Sequence, residues 1–207
     1  MNDIIRNIPS DKRDRILNSA LEEFSRYGYN NTSTNNIVES AEISKGLLYH
    51  YFGSKDRLYS LLKEFAVELA YKDVIDSLNW NVSDIYERVK EYYKIKIKIA
   101  REYPYLFRFI DSLAYEMGER ELEDYITKSS SSLYKNLLTY NIDFTKFDDE
   151  IDVRKSVNII QWTIEKYVDK AIGDLIHFGK MDEEAIWKHI DEYIVILKQV
   201  FYKSEYR

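Results

Sequence analysis

The sequence predicts an all-α fold, with a small three-helix head at the N-terminus and a larger helical body behind it. Three observations carry this. Only two prolines and six glycines occur in 207 residues, so long uninterrupted helices are permitted. Apolar residues recur every three to four positions through most of the chain. Short polar breaks rich in Ser, Thr, Asn and Gly separate those stripes, placing capping residues where helices must begin.

In the head, Ile16, Leu17, Ala20, Leu21 and Phe24 share one helical face over residues 11–28, and Gly28 supplies a stop. Ser33 is a good N-cap for a short helix over 34–41 that buries Ile37, Val38 and Ala41. Ser44 can cap a second short helix over 45–52, with Leu48 and Phe52 four apart on its core side. Ser54 can cap a third start at Lys55, where Asp56 suits the first turn. From pattern alone two readings stand. Residues 11–52 are either three packed helices of no special purpose or a helix-turn-helix unit whose last helix enters a major groove.

The body begins with Leu58, Leu61, Leu62, Phe65, Ala66 and Leu69 on a helix over 55–75. A break at 79–83 precedes a helix over 84–101, and Pro104 opens another carrying Phe107, Ile110, Leu113 and Ala114. A further helix is expected over 121–138, then a loop over 141–150 anchored by Phe144 and Phe147. Two long helices close the chain, over 151–177 and 182–203, with Gly179 in the turn between them. Their broad apolar faces suit either the core of one chain or half of a four-helix dimer interface.

Composition excludes several classes. With no cysteine there are no disulfides, thiol nucleophiles or thiolate metal sites, which fits a cytoplasmic protein. The start lacks an apolar signal core, and no apolar run is long enough for a membrane span. His50, His177 and His189 share no ligand spacing, so neither a metal nor another cofactor is expected. No nucleophile elbow or phosphate loop is present, so catalysis is not expected. The acidic residues Glu116, Glu119, Glu121 and Glu123 read as a solvated helix face. Residues 1–60 carry eight basic and eight acidic side chains, so the net charge of −6 lies wholly in the body. A neutral head with its positive groups on one face permits DNA binding, and the acidic body does not. A helical protein–protein adaptor that binds no DNA is the alternative class.

Residues 16–59 resemble the DNA-binding domain of the TetR family of bacterial regulators. Ile16, Ala20, Leu21, Phe24 and Gly28 match first, then Thr32, Ser33, Ile37 and Ala41. The specific part is the run Ser44, Lys45, Gly46, Leu47, Leu48, Tyr49, His50, Tyr51 and Phe52, followed by Ser54, Lys55, Leu58 and Tyr59. Family members often carry glycine after the alanine that ends the second helix, where this chain has Glu42. A left-handed turn there would cost on the order of 1 kcal/mol, unless the turn is made without a positive φ.

The resemblance implies a DNA-binding domain over residues 1–54 and an effector-binding and dimerisation domain over 55–207. It makes Tyr49 and Tyr51 DNA-contacting aromatics and Lys55 a backbone-holding lysine. Ser44 caps the recognition helix and leaves amides near its start for a phosphate. Lys45 can reach a guanine edge or a phosphate, Leu47 can meet a thymine methyl, and His50 can donate to a base or a phosphate. Gly46 costs helix stability but lets the helix end approach DNA closely. Thr32, Ser33 and Thr34 are expected on the other strand. The resemblance further implies a homodimer on operator DNA that a small-molecule effector releases. Aromatic density in the body suggests a pocket for an apolar or aromatic effector, with Trp80, Tyr92, Tyr93, Tyr103, Phe107, Tyr115, Trp162 and Tyr167 as candidate walls.

Overall fold

A computed structural model of the chain describes residues 2–129 and 137–207. The helices are α1 (Asp3–Arg6), α2 (Ser10–Asn31), α3 (Thr34–Ser40), α4 (Lys45–Phe52), α5 (Lys55–Val67), α6 (Asp73–Ser77), α7 (Ile85–Glu102), α8 (Leu106–Met117), α9 (Glu119–Ser129), α10 (Val153–Phe178) and α11 (Glu183–Phe201). Among the described residues there is no β-strand. The expected helices appear in order, most with ends shifted by a residue or two. The helix expected over 55–75 runs to Ser77, with Glu68–Lys72 winding as a wider π-helical turn between α5 and α6. The one expected over 121–138 is described only as far as Ser129, and residues 130–136 lie outside the described part. The short α1 was not expected; it seats Ile5, with Ile8 just beyond it.

The chain forms two compact units, and the division does not fall at residue 54. One unit contains residues 1–76 and 99–134, the other 77–98 and 135–207. In the first, Ile16, Leu17, Ala20, Leu21 and Phe24 of α2 are buried, as are Ile37, Leu48, Phe52, Leu58 and Leu62 of the next three helices. Helix α8 packs against both α2 and α5. Tyr59 lies 4.8 Å from Phe24 and 5.8 Å, edge-on, from Phe109 of α8. That shared aromatic core draws α8 into the same unit as the head.

The second unit is built around α10 and α11, which pack together. Phe147 stacks edge-on against Tyr202 at 5.0 Å, and Tyr202 against Tyr86 at 5.1 Å. The loop anchor expected at Phe147 is therefore in the core, while Phe144 is half-buried. Arg88 is fully buried, donating to the carbonyls of Trp80, Val82 and Leu137. Asp84 accepts from the Tyr86 N–H, from Lys146 Nζ at 2.9 Å and from the Tyr202 hydroxyl. Burial alone would raise the Asp84 carboxyl, but Lys146, Lys198 and the Tyr86 amide outweigh it and hold it below the usual range.

Candidate nucleic-acid interface

The three capping serines act as the spacing requires. Ser33 Oγ accepts from Asn36 N, Ser44 Oγ from Leu47 N at 3.2 Å, and Ser54 Oγ from Arg57 N at 3.1 Å. Helix α4 turns Leu48 and Phe52 inward. That leaves Ser44, Lys45, Gly46, Tyr49 and His50 exposed, with Leu47 and Tyr51 half-buried. A Cβ built on Gly46 would meet nothing closer than Ser44 Oγ at 4.0 Å. Nothing inside the protein therefore requires a glycine at that position.

The turn between α3 and α4 settles the Glu42 question. Ile43 N bonds Val38 O and Glu42 N bonds Glu39 O, the paired bonds of a Schellman stop. That stop needs a left-handed residue after the cap, and Glu42 has φ 53°. Arg15 reaches its carboxylate at 3.2 Å. The pair is exposed and returns little of the backbone cost.

Among the head residues, the structure brings Thr34 and Tyr49 together: their hydroxyl oxygens are 3.4 Å apart across α3 and α4. Lys55, half-buried, donates to Asn30 O at 3.4 Å and lies 4.8 Å over the Tyr29 ring. Thr32 departs from expectation. It is only 6% exposed, and its hydroxyl points inward, 2.7 Å from Gly28 O and 3.3 Å from Glu23 O. Gly28 breaks α2 with φ 67°, and the Thr32 hydroxyl four residues on closes on its carbonyl. Thr32 thus offers no side chain to a nucleic acid.

Sequence reasoning missed the residues that hold this face in shape. Glu23 Oε1 accepts from Ser33 N and from Asn36 Nδ2, fixing the start of α3. Tyr29 donates its hydroxyl to Asp56. Glu116 is exposed, as are Glu119, Glu121 and Glu123, but its carboxylate also accepts from Tyr29 N and the Tyr59 hydroxyl. Only the capping pattern S-x-x-N at Ser33 hinted at any of this; the rest joins residues far apart in sequence.

The candidate effector residues fall in both units. In the first, Tyr103 is buried edge-on against Phe65 at 5.1 Å and bonds Asp14. Phe107 is half-buried. Tyr115 is 92% exposed on the surface of α8 and walls no cavity. In the second, Trp80 lies under the Arg88 guanidinium at 4.8 Å, and Tyr92 and Tyr93 meet edge-on at 4.8 Å. Trp162 is 61% exposed and likewise encloses nothing within the chain. Tyr167 lines a cleft of about 180 Å³ together with Lys170, Asp174, Lys180 and Ile186, a more polar lining than an apolar effector would need. Among the described residues no group of three or more His, Asp or Glu could hold a metal ion. No described helix is long and apolar enough to cross a membrane.

Two capped helices joined by a tight turn, the second with an outward polar and aromatic face, define a helix-turn-helix head. Residues 16–62 match the model of the bacterial regulatory proteins of the tetR family. The chain is 30% identical over 95 residues to the HTH-type transcriptional regulator RutR of Escherichia coli K12, covering 46% of this chain and 44% of that protein. It thus spans less than half the length of that relative. It is 27% identical over 185 residues to the biofilm operon regulator IcaR of Staphylococcus aureus strain Newman, covering 83% of this chain and 89% of that protein. In fold it is similar to a TetR family regulator from Chloroflexus aurantiacus, with TM-score 0.63, 20% identity and 98% of each chain covered. It is also similar to the ketosteroid regulator KstR2 of Mycobacterium tuberculosis, with TM-score 0.61, 18% identity, and 96% of this chain and 98% of that one covered. Residues 16–62 thus match the tetR family model, and the chain as a whole shares the fold of solved regulators of that kind.

Proposed function

We propose that the chain is a sequence-specific DNA-binding transcriptional regulator, working in the cytoplasm as a homodimeric repressor that a small-molecule effector releases from its operator. The observation that carries the reading is the face of α4. Ser44, Lys45, Gly46, Tyr49 and His50 stand exposed over a buried Leu48 and Phe52, with Thr34 of α3 beside Tyr49. On this reading Lys45, Gly46, Leu47 and His50 read base edges in the major groove, Tyr49 touches a base or a phosphate, and Ser44, Thr34, Tyr51 and Lys55 position the head on phosphates. Residues 1–54, with Lys55 at the start of α5, supply the DNA contacts, and the rest of 55–207 the effector site and dimer interface. IcaR is named as a negative transcriptional regulator, which favours repression.

The effector is apolar or aromatic on this reading. Its support is the density of rings along the sequence, at Trp80, Tyr92, Tyr93, Tyr103 and Phe107. Release requires only that the effector bind the non-operator arrangement better, and a tenfold change in operator affinity needs about 1.4 kcal/mol of such preference. A gel shift with duplex from upstream of the chain's own coding sequence tests the DNA reading: a band that outlasts excess random duplex is expected. Failure to shift any such duplex would favour the adaptor class. A thermal-shift screen of apolar and aromatic metabolites, followed by the same gel shift with each hit, tests release.

A further inference from the structure

We propose that Glu116, at the C-terminal end of α8, is a positioning residue for DNA binding: its carboxylate holds Tyr29, and through Tyr29 both the start of α3 and the ammonium of Lys55. The inference rests on the DNA-binding reading above and deepens it.

Three contacts converge on this carboxylate. Oε1 accepts from the Tyr29 backbone N–H at 3.2 Å. Oε2 accepts from the Tyr59 hydroxyl. Tyr59 itself is buried against Phe24, Tyr29 and Phe109, which keeps its hydroxyl aimed at one place. Burial first, and the Glu116 carboxylate second, push the Tyr59 phenol above its ordinary range, so it remains a donor at any working pH.

Gly28 admits the carboxylate. A Cβ there would lie 3.0 Å from Glu116 Oε1, which would have to give way by a few tenths of an ångström, and the backbone has φ 67°, so a side chain at this position would be strained. The break in α2 exposes the Tyr29 N–H to an acceptor outside its own helix, and Glu116 supplies that acceptor.

Tyr29 then distributes the constraint. Its hydroxyl donates to Asp56, next to Lys55 at the start of α5. Its ring lies beneath Lys55 Nζ, which also bonds the carbonyl of Asn30. Three residues further on, Ser33 caps α3, and Thr34 meets Tyr49. One carboxylate on α8 therefore fixes a residue that borders both proposed phosphate-contacting elements. A carboxylate needed only for solubility would point to water; this one accepts from two donors on two different elements.

The test uses the full chain with Glu116→Ala, Glu116→Gln and Tyr59→Phe. Glutamine keeps an acceptor for the Tyr29 N–H, so E116Q serves as the conservative rescue, and Y59F removes the second contact if E116A does not fold. Hydrogen exchange is read at residues 28–34, and binding to labelled upstream and random duplexes is read across a salt series. E116A is expected to speed exchange at Tyr29 by about tenfold or more. It should weaken both duplexes about fivefold and lower the salt slope by about one, because the Lys55 phosphate contact is lost. E116Q should stay within about twofold of the wild type, since its neutral acceptor replaces most of the contact. Unchanged exchange at Tyr29 in both E116A and Y59F would overturn the proposal. So would faster exchange with wild-type affinity and salt slope. A wild-type chain that shifts neither duplex would sink the DNA reading and this proposal together. Wild-type binding that E116A leaves intact would sink this proposal alone.

Discussion

The hydroxyl oxygens of Thr34 and Tyr49 lie 3.4 Å apart, joining the first residue of α3 to the middle of α4 at an exposed surface. Both groups keep hydrogen-bonding capacity, since a hydroxyl offers one donor and two acceptor positions. A phosphate oxygen placed over the pair could accept from one while the other orders it. Tyr49→Phe keeps the ring and removes that capacity. Operator affinity should fall about three- to tenfold, the worth of one hydrogen bond to a charged acceptor. Melting temperature should hold within a degree or so, because an exposed hydroxyl pair adds little to stability. A gel shift and a thermal melt measure the two, and equal losses in both would mean that the pair is structural.

On the proposed reading Lys55 holds backbone rather than reads sequence. Its Nζ is tied to Asn30 O and lies over the Tyr29 ring, which fixes the ammonium at the edge of the head rather than on the α4 face. Lys55→Ala should therefore weaken upstream and random duplexes by similar factors and lower the salt slope by about one unit. An unchanged slope with selective loss of the upstream site would place Lys55 on a base instead.

Glu42 marks a site where the fold tolerates strain. Its φ of 53° is demanded by the Schellman stop of α3, and its exposed pair with Arg15 offsets little of the cost. Glu42→Gly should stabilise the protein, and Glu42→Ala should not, because alanine keeps the left-handed penalty and loses the ion pair. The difference between the two variants is expected to be about 1 kcal/mol, the price of a Cβ in that conformation. Denaturant melts of both variants measure it. Equal stability would mean that the turn rearranges.

Those residues show what was legible in the sequence. Ser44, Leu48 and Phe52 fix α4 through a cap and an i, i+4 spacing, both local signals, and the helix falls where they require. Glu42 was legible as a question: its position after Ala41 was suspicious, but only the backbone could say whether φ was positive. Thr32 failed because its polar type fits a surface as well as an inward hydroxyl, and only the backbone at the Gly28 break shows which it is. Glu116 is exposed as read, but its two contacts were not legible, since Tyr29 and Tyr59 lie 87 and 57 residues away. The π-helical turn at Glu68–Lys72 interrupts an apolar stripe that reads as continuous, and no residue there announces it. The aromatic residues of the body were recognisable as abundant, but abundance did not separate the buried Tyr103 from the exposed Tyr115.

Helix α11 carries two apolar stripes where one would suffice. Ile186, Ile190, Ile194, Leu197 and Phe201 are buried within the chain. Beside them Tyr193, Ile196 and Val200 recur at the same three- to four-residue spacing and stand 40%, 56% and 57% exposed. A surface helix needs a single stripe, and a second one left in water forfeits about 25 cal/mol for each Å² of apolar area. Trp162 and Ile159 on α10 are also exposed, so the uncovered surface extends over both helices of the pair that pack together. On the homodimer proposed above, a second copy of the chain would supply the matching surface, because a two-fold axis sets each stripe against its own equivalent and closes the assembly. Sedimentation at micromolar concentration should then give twice the 24.8 kDa chain mass. Ile196→Glu should shift the boundary to the monomer, since the two-fold axis buries the new charge twice. Lys188→Glu, exposed but well around the helix from this stripe, should leave the dimer intact. DNA binding by I196E should weaken far more for a palindromic upstream site than for random duplex, because two linked heads gain from each other only where both half-sites are correct. A wild-type chain that sediments as a monomer, or an I196E chain that stays dimeric, would place the interface elsewhere and leave the second stripe of α11 without this explanation.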